Sequence, residues 1–323
     1  MRKIALEEHF MAPDFVDYWA ATFPNISAEL GGKAHYALVD FGERRLAVMD
    51  AFGIDVAVLS LAGPGVQAER ATEVATCKAR KVNDLLAEQI VRNPKRYGGF
   101  AHLAMQDANA AADELERCMT QLGFQGAMIN GSTSGVYLDA DCYAPFWERA
   151  AALHAPIYIH PNNSVDHPAM YAGHSELWGP VWSWGVETAT HALRLVFAAV
   201  FERYPDAKLI LGHMGEAIPY QLWRIDSRWA ICNRGGRSLP KPPSHYIRTN
   251  IHVTTSGVAS AEPLACALSA LGSDNVMFSV DYPFERTDLA AQFIATTPLD
   301  EAIRAKICHA NAERVLGLST RHT

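Results

Sequence analysis

Ile4-Ala5-Leu6-Glu7-Glu8-His9-Phe10 opens the chain with a short apolar run that gives way to two carboxylates and an imidazole. The run reads as a buried strand beginning almost at the first residue. Side chains alternate along a strand, so Glu7 and His9 are expected on one face and Glu8 on the other. A carboxylate and an imidazole two residues apart at a strand's C-terminal end form a two-ligand grip for a divalent cation. The plain alternative is a strand end with a polar tail. Whether the same pattern recurs decides between them, and it also decides the fold.

Further along, apolar runs begin at Ile54, Gly99, Gly126, Pro156, Lys208, Ile251 and Val276. Helical patterns follow them in turn. The spacing predicts helices over 43–52, stopped at Gly53, and over 71–91, closed by Asn93-Pro94. Others are expected over 108–122 with Gly123 as the cap, and over 143–153, 182–204, 217–231 and 261–271, with two more at the C-terminus. Eight strands, each followed by a helix, predict an α/β protein made of a single (β/α)8 barrel, one domain over residues 1–323. An open doubly wound sheet is the alternative, but no GxGxxG follows the first strand. Residues 11–41, with Phe15, Tyr18, Trp19 and Phe23 and a Gly31-Gly32 break, show no sustained period and read as a long loop of lid or binding type. Residues 233–243 read as a basic, Pro/Gly-rich loop.

The 323 residues carry a formal charge of −7 without blocks of like charge, which argues against nucleic acid or an anionic membrane as partner. A small molecule is the expected partner. No apolar run approaches the roughly 20 residues of a membrane span. No apolar signal segment follows Met1-Arg2-Lys3. The six cysteines are scattered without a CxxC pair, as in a reducing compartment, and the expected location is the cytoplasm.

In a barrel of this kind the site gathers where the strands end. Strand five ends Ile159-His160-Pro161, strand six Gly212-His213-Met214-Gly215-Glu216, and strand eight Val280-Asp281-Tyr282-Pro283. A lone strand-end histidine is commonly a hydrogen-bonded structural residue, and Asp281 alone has the makings of a turn cap. Joint occurrence at one end of one barrel points instead to a metal centre made of Glu7, His9, His160 and Asp281. This mixed N/O set without thiolate suits one zinc or manganese ion better than magnesium. His213 is assigned to acid/base or polarising work, with Glu216 orienting its ring or sitting as a first-turn carboxylate. Arg224 is expected either to reach a substrate anion or to pair with Asp226 or Glu216. Phe10, Trp19, Phe23, Trp178 and Trp182 flank the site loops and are candidates for an apolar slot, with core packing as the default for each. His174 and His191 read as structural, and Asn130 as a candidate for a substrate hydrogen bond.

Taken together, Ala5-Leu6-Glu7-Glu8-His9-Phe10, Ile159-His160-Pro161, Leu211-Gly212-His213-Met214-Gly215-Glu216, Trp223-Arg224-Ile225-Asp226, Thr254-Thr255-Ser256-Gly257 and Phe278-Ser279-Val280-Asp281-Tyr282-Pro283-Phe284-Glu285 resemble the decarboxylase branch of the amidohydrolase superfamily, near the resorcylate and dihydroxybenzoate decarboxylases. The resemblance spans nearly the whole chain. It implies a (β/α)8 barrel, a metal held by Glu7, His160 and Asp281 with His9 joining, and Asp281 as proton donor. It also implies a homotetramer or homodimer and no organic cofactor. His9 leans toward the 2,6-dihydroxybenzoate type, and Ser279 to Glu285 toward the 2,3-dihydroxybenzoate type. The implied reaction is non-oxidative decarboxylation of an ortho-hydroxybenzoate, reversible at high bicarbonate. The rival is metal-assisted hydrolysis of a lactone or amide by the same ligands, although Glu7 stands where ordinary amidohydrolases carry the first histidine of His-x-His. A non-catalytic metal scaffold is a third possibility, which predicts no activity to lose in Asp281→Asn.

Overall fold

The computed structural model describes residues 1–20, 28–232 and 238–318. Among the described residues, eight parallel strands form a ring in chain order: β1 (Ile4–Phe10), β2 (Val56–Leu61), β3 (Tyr97–Gly99), β4 (Ala127–Asn130), β5 (Ile157–His160), β6 (Leu209–Leu211), β7 (Ile251–Thr254) and β8 (Val276–Met277). Regular ladders join β1 to β3 and β4 to β8. Two looser joins close the ring. Between β3 and β4, Ala101 N donates to Gly126 O at 2.9 Å and Met128 N to Ala101 O at 3.1 Å. Between β8 and β1, His9 N donates to Tyr282 O at 2.7 Å and Asp281 N to Glu7 O at 3.1 Å. The predicted barrel is therefore the observed one.

Its interior is filled by Ile4, Leu6, Val56, Val58, Phe100, Met128, Tyr158, Ile210 and Met277, with Val315 and Leu316 of the last helix, and Leu318 just after it, in the same cluster. A second, larger cluster lies between the strands' outer faces and the helices. Side chains of this size each stabilise the fold by about 1.5–3 kcal/mol on full burial. The inner layer thus makes a rigid floor beneath whatever stands at the strand ends.

Most expected helices are present. Glu43–Phe52 ends at Gly53 with φ 66°, Thr72–Arg92 ends before Pro94, and Ala261–Leu271 matches its predicted span. Asp107 caps Ala108–Thr120 by accepting from Asn109 N and Ala110 N. Four readings need correction. The predicted 182–204 helix is two, Ser183–Phe197 and Val200–Arg203, parted at Ala199 with φ 57°. The segment after β1 is not a plain loop: Pro13–Phe15, Val16–Ala20 and Ala28–Leu38 are helical, the last running through Gly31-Gly32. A helix that was not read from the sequence, Pro243–Asn250, leads directly into β7. β8 has a ladder over two residues because Phe278 N donates to Ile307 O at 2.8 Å instead of to a neighbouring strand.

Candidate active site

β1 does not alternate strictly. Its register with β2 shifts between Ala5 and Glu8, a bulge that adds one residue and turns the following side chains over. Leu6 packs in the barrel interior, and Glu7 also faces inward, where Tyr158 Oη donates to its Oε2. Unbroken alternation would have put Leu6 and Glu7 on opposite faces. The bulge makes one strand contribute to both the apolar floor and the site above it. Glu8 turns outward, where Val280 N donates to its Oε1 at 3.0 Å.

Glu7, His9, His160 and Asp281 converge as expected, with one ligand atom of each lying within 4.8 Å of all the others. Bonds of about 2.1 Å on opposite sides of an ion span about 4.2 Å, so the four are gathered on the scale of a single cation. His160 Nδ1 sits 2.9 Å from Pro161 O. The proton is thereby fixed on Nδ1, and Nε2 is left to face Glu7 Oε1 at 3.5 Å. Burial pushes the His160 imidazolium down to about 3, so the ring is neutral and free to act as a ligand. His9 Nδ1 is 3.1 Å from Ser60 Oγ, and its Nε2 is 3.3 Å from Asp281 Oδ1.

Three atoms facing this space, Glu7 Oε1, His9 Nε2 and Asp281 Oδ1, are buried without a hydrogen-bond partner. Orphaned buried polar atoms are costly. Here they converge, and a divalent cation satisfies all three together. Burial also holds the Glu7 carboxyl above its ordinary range, a cost that a nearby cation relieves. The residues present therefore fit a divalent metal.

Beside this cluster, residues 213–217 form a left-handed turn. His213, Met214, Gly215, Glu216 and Ala217 have φ of 50°, 56°, 81°, 52° and 63°. Each non-glycine residue there costs about 1–2 kcal/mol, and strain of this kind concentrates at functional sites. The turn brings His213 Nδ1 to 2.6 Å from Glu216 Oε1 and leaves Nε2 3.9 Å from Asp281 Oδ2. Burial alone would lower the His213 imidazolium, but the Glu216 and Glu7 carboxylates raise it well above its ordinary value. Burial likewise works against the Asp281 carboxylate, yet His213 and His9 hold its carboxyl below the usual range. Glu216 therefore orients His213 and lies before the helix Ile218–Trp229, not in its first turn.

Two glycines make this packing possible. A Cβ on Gly212 would lie 2.6 Å from Glu7 Oε2, and one on Gly215 would lie 2.7 Å from Val253 Cγ1. Gly215→Ala is accordingly expected to destabilise the protein by about 1–3 kcal/mol, read as a lower urea midpoint with an unchanged slope.

A cavity of about 1070 Å3 opens over the cluster, walled by His160, His213, Asp281, Trp19, Phe284 and Trp178 among others. Trp19 stacks on Phe284 with ring centroids 6.4 Å apart, and Trp182 lies exposed at the rim. Phe10 is a correction: on the outward face of β1 it packs against Phe41 at 5.3 Å, in the core and away from the cavity. Arg224 is another. Ile218 and Leu222 turn the buried face of their helix inward, and Arg224 projects into solvent on the other side. Neither of its suggested partners is taken up with it, since Asp226 accepts from Ser244 N and Oγ and Glu216 holds His213. Phe23 lies outside the described residues. His191 is structural as expected, accepting from Leu138 N at 3.1 Å, and His174 is an exposed partner of Glu176. Asn130 Oδ1 is buried without a partner beside Gly63, a residue of the cavity wall.

Sequence reasoning missed Tyr158, whose hydroxyl joins Glu7 to Thr254 Oγ1 at 3.0 Å. Its position two residues before His160 was the available signal, because residues two apart on a strand share a face. Ser279 and Phe284 were quoted in a motif without a role.

A family model described as amidohydrolase matches residues 9–318. A gamma-resorcylate decarboxylase of Polaromonas sp. is 43% identical, the match covering 98% of this chain and 99% of the relative. Among solved structures, a 2,6-dihydroxybenzoate decarboxylase complexed with 2,6-dihydroxybenzoate superimposes with a TM-score of 0.93 at 38% identity, covering 98% of this chain and 99% of the other. A dihydroxybenzoic acid decarboxylase from Polaromonas sp., with bound manganese and the inhibitor 2-nitroresorcinol, has a TM-score of 0.92 at 41% identity, covering 98% and 97%.

Proposed function

The chain belongs to the amidohydrolase family, and from that premise we propose that it is a metal-dependent carboxy-lyase that removes CO2 from an ortho-hydroxybenzoate without oxidation. The relatives' 2,6-dihydroxybenzoate (γ-resorcylate) is the first substrate to consider. The observation that carries this reading is the convergence of Glu7, His9, His160 and Asp281 beneath a cavity with aromatic walls. Glu7 in place of the first histidine of His-x-His favours decarboxylation over hydrolysis of a lactone or amide.

Glu7, His9, His160 and Asp281 would hold the ion, manganese or zinc, with the manganese of the Polaromonas structure favouring the former. When bound, the cation supplies positive charge that orients the carboxylate and favours ionisation of the neighbouring phenol. Asp281 takes up the phenolic proton and delivers it to the ring carbon that bears the carboxylate. The carbon–carbon bond then breaks, CO2 departs, and the electron pair of that bond restores the aromatic ring. The phenolate product regains a proton from solvent, leaving Asp281 ionised as it began. His213, steadied by Glu216, lies within reach of Asp281 to stabilise the negative charge it carries before it takes up the proton and after it gives it away. Trp19 and Phe284 provide an apolar wall against the ring and keep water from the reacting carbon.

None of the described helices is long and apolar enough to cross a membrane. The proposed setting is the cytoplasm and the proposed assembly a homotetramer or homodimer. Exposed Trp182, Tyr220, Trp223 and Ile231 provide apolar surface suited to such contacts. The test is CO2 release from 2,6- and 2,3-dihydroxybenzoate by the manganese-loaded protein without added organic cofactor. Turnover of lactones alone, with no CO2 from any hydroxybenzoate, would refute the reading.

A further inference from the structure

The join between β8 and β1 carries Glu7 and His9 on one side and Asp281 on the other, yet its strand pairing is an isolated bridge between Glu8 and Tyr282. Side chains take over where the ladder stops. Leu6 N and Glu7 N, successive donors exposed by the bulge, both point at Ser279 Oγ, at 3.1 and 2.6 Å. That hydroxyl gives its own proton to Glu8 Oε1 at 3.2 Å, and Val280 N donates to the same oxygen at 3.0 Å. The Ser279 backbone is clamped in turn, its N–H donating to Thr255 Oγ1 at 3.0 Å and its carbonyl accepting from that hydroxyl at 2.9 Å. Ser279 and Glu8 are both buried. On the outer side, Arg45 Nη2 donates to His9 O at 2.6 Å while its guanidinium lies 4.6 Å from the centre of the Tyr282 ring.

We propose that Ser279 and Glu8 are positioning residues of the metal centre, a two-side-chain strut that sets the separation of Glu7 and His9 from Asp281. The proposal rests on the metal-dependent reading above and adds what fixes the ligands. An ordinary ladder at this join would demand regular pleating through Leu6–Glu8 and so forbid the bulge that turns Glu7 inward. A serine hydroxyl accepts from two adjacent N–H groups without requiring that regularity. Ligand atoms held this way need no rearrangement to receive the ion, whereas a slack join leaves Asp281 to be drawn in at the expense of binding energy.

The experiment is titration of folded, metal-free protein with Mn2+, followed by the electron paramagnetic resonance signal of the free ion, for wild type, Ser279→Ala, Glu8→Ala, Glu8→Gln and Leu115→Ala, a core variant on the helix Ala108–Thr120. Ser279→Ala and Glu8→Ala are expected to bind Mn2+ about 10–100-fold more weakly. Glu8→Gln, which keeps an oxygen acceptor, should recover most of the affinity. Leu115→Ala should lower the melting temperature without changing the affinity. Unchanged affinity in Ser279→Ala overturns the proposal, as does a loss matched by Leu115→Ala, which would mark general destabilisation. If Ser279→Ala does not fold, the Glu8 pair decides by the same criteria. Wild type that takes up no Mn2+ would overturn the metal centre itself, and is thereby distinguished from failure of the strut.

Discussion

Asp281→Asn is expected to lower kcat/KM for decarboxylation by roughly 10^3-fold or more, measured as CO2 release under saturating Mn2+. A positioned proton donor contributes about 10^2–10^4-fold by itself, and this side chain is asked both to complete the metal cluster and to carry the proton. Asparagine keeps the shape and an oxygen but has no exchangeable acid proton to give to carbon. The backbone argues that the loss will be local. Asp281 sits at φ 80°, in a region that Asn tolerates as well as Asp does, and its backbone N–H bond to Glu7 O does not involve the side chain. The variant should therefore fold and bind substrate, with the defect falling on kcat more than on KM. If most of the activity survives, the proton must reach the ring from elsewhere. His213, 3.9 Å from Asp281 Oδ2, would then be the group to examine.

His213 shows how unevenly the site was legible in the sequence. Glu7, His9, His160 and Asp281 were found because each follows an apolar strand, and barrel topology brings strand ends together whatever lies between them in the chain. The pairing of His213 with Glu216 was found from spacing alone. The turn that permits it was not, because five consecutive left-handed residues, four of them not glycine, run against local preference and are sustained by their surroundings. The β1 bulge escaped for a related reason. A two-residue period is legible in a sequence, but the point at which it slips is set by a partner 272 positions away, Ser279, whose hydroxyl meets the Glu7 amide.

The misplaced residues follow the same logic. Phe10 was grouped with the site as an aromatic flanking a site loop, but it directly follows His9, adjacency there means opposite faces of the strand, and it is a core residue. Arg224 was grouped by motif, and the buried pair Ile218 and Leu222 on its own helix already indicated that it faces away. Gly31-Gly32 read as a break because glycine is a poor helix former, yet the helix Ala28–Leu38 continues through both. Tertiary context overrode a propensity worth only about 1 kcal/mol per residue.

Removal of the metal has the second large expected effect. Dialysis against a chelator should abolish CO2 release, and Mn2+ should restore it. In the same experiment the melting temperature should fall by roughly 5 °C relative to protein at 100 times the dissociation constant of Mn2+, because a ligand bound only by the folded state contributes about 2.7 kcal/mol there. The pH dependence has a definite sign. Burial raises the Glu7 carboxyl above 4.5 in the metal-free protein, so protons compete for this ligand at higher pH than for an exposed glutamate. Binding expels them, and the ion's contribution grows as pH rises. The Mn2+-induced gain in melting temperature should thus be larger at pH 8 than at pH 5. An ion attracted merely to surface carboxylates, which are ionised at both values, would give nearly equal gains. Equal gains, or activity that survives exhaustive chelation, would show that Glu7 and its three neighbours are not where the ion acts.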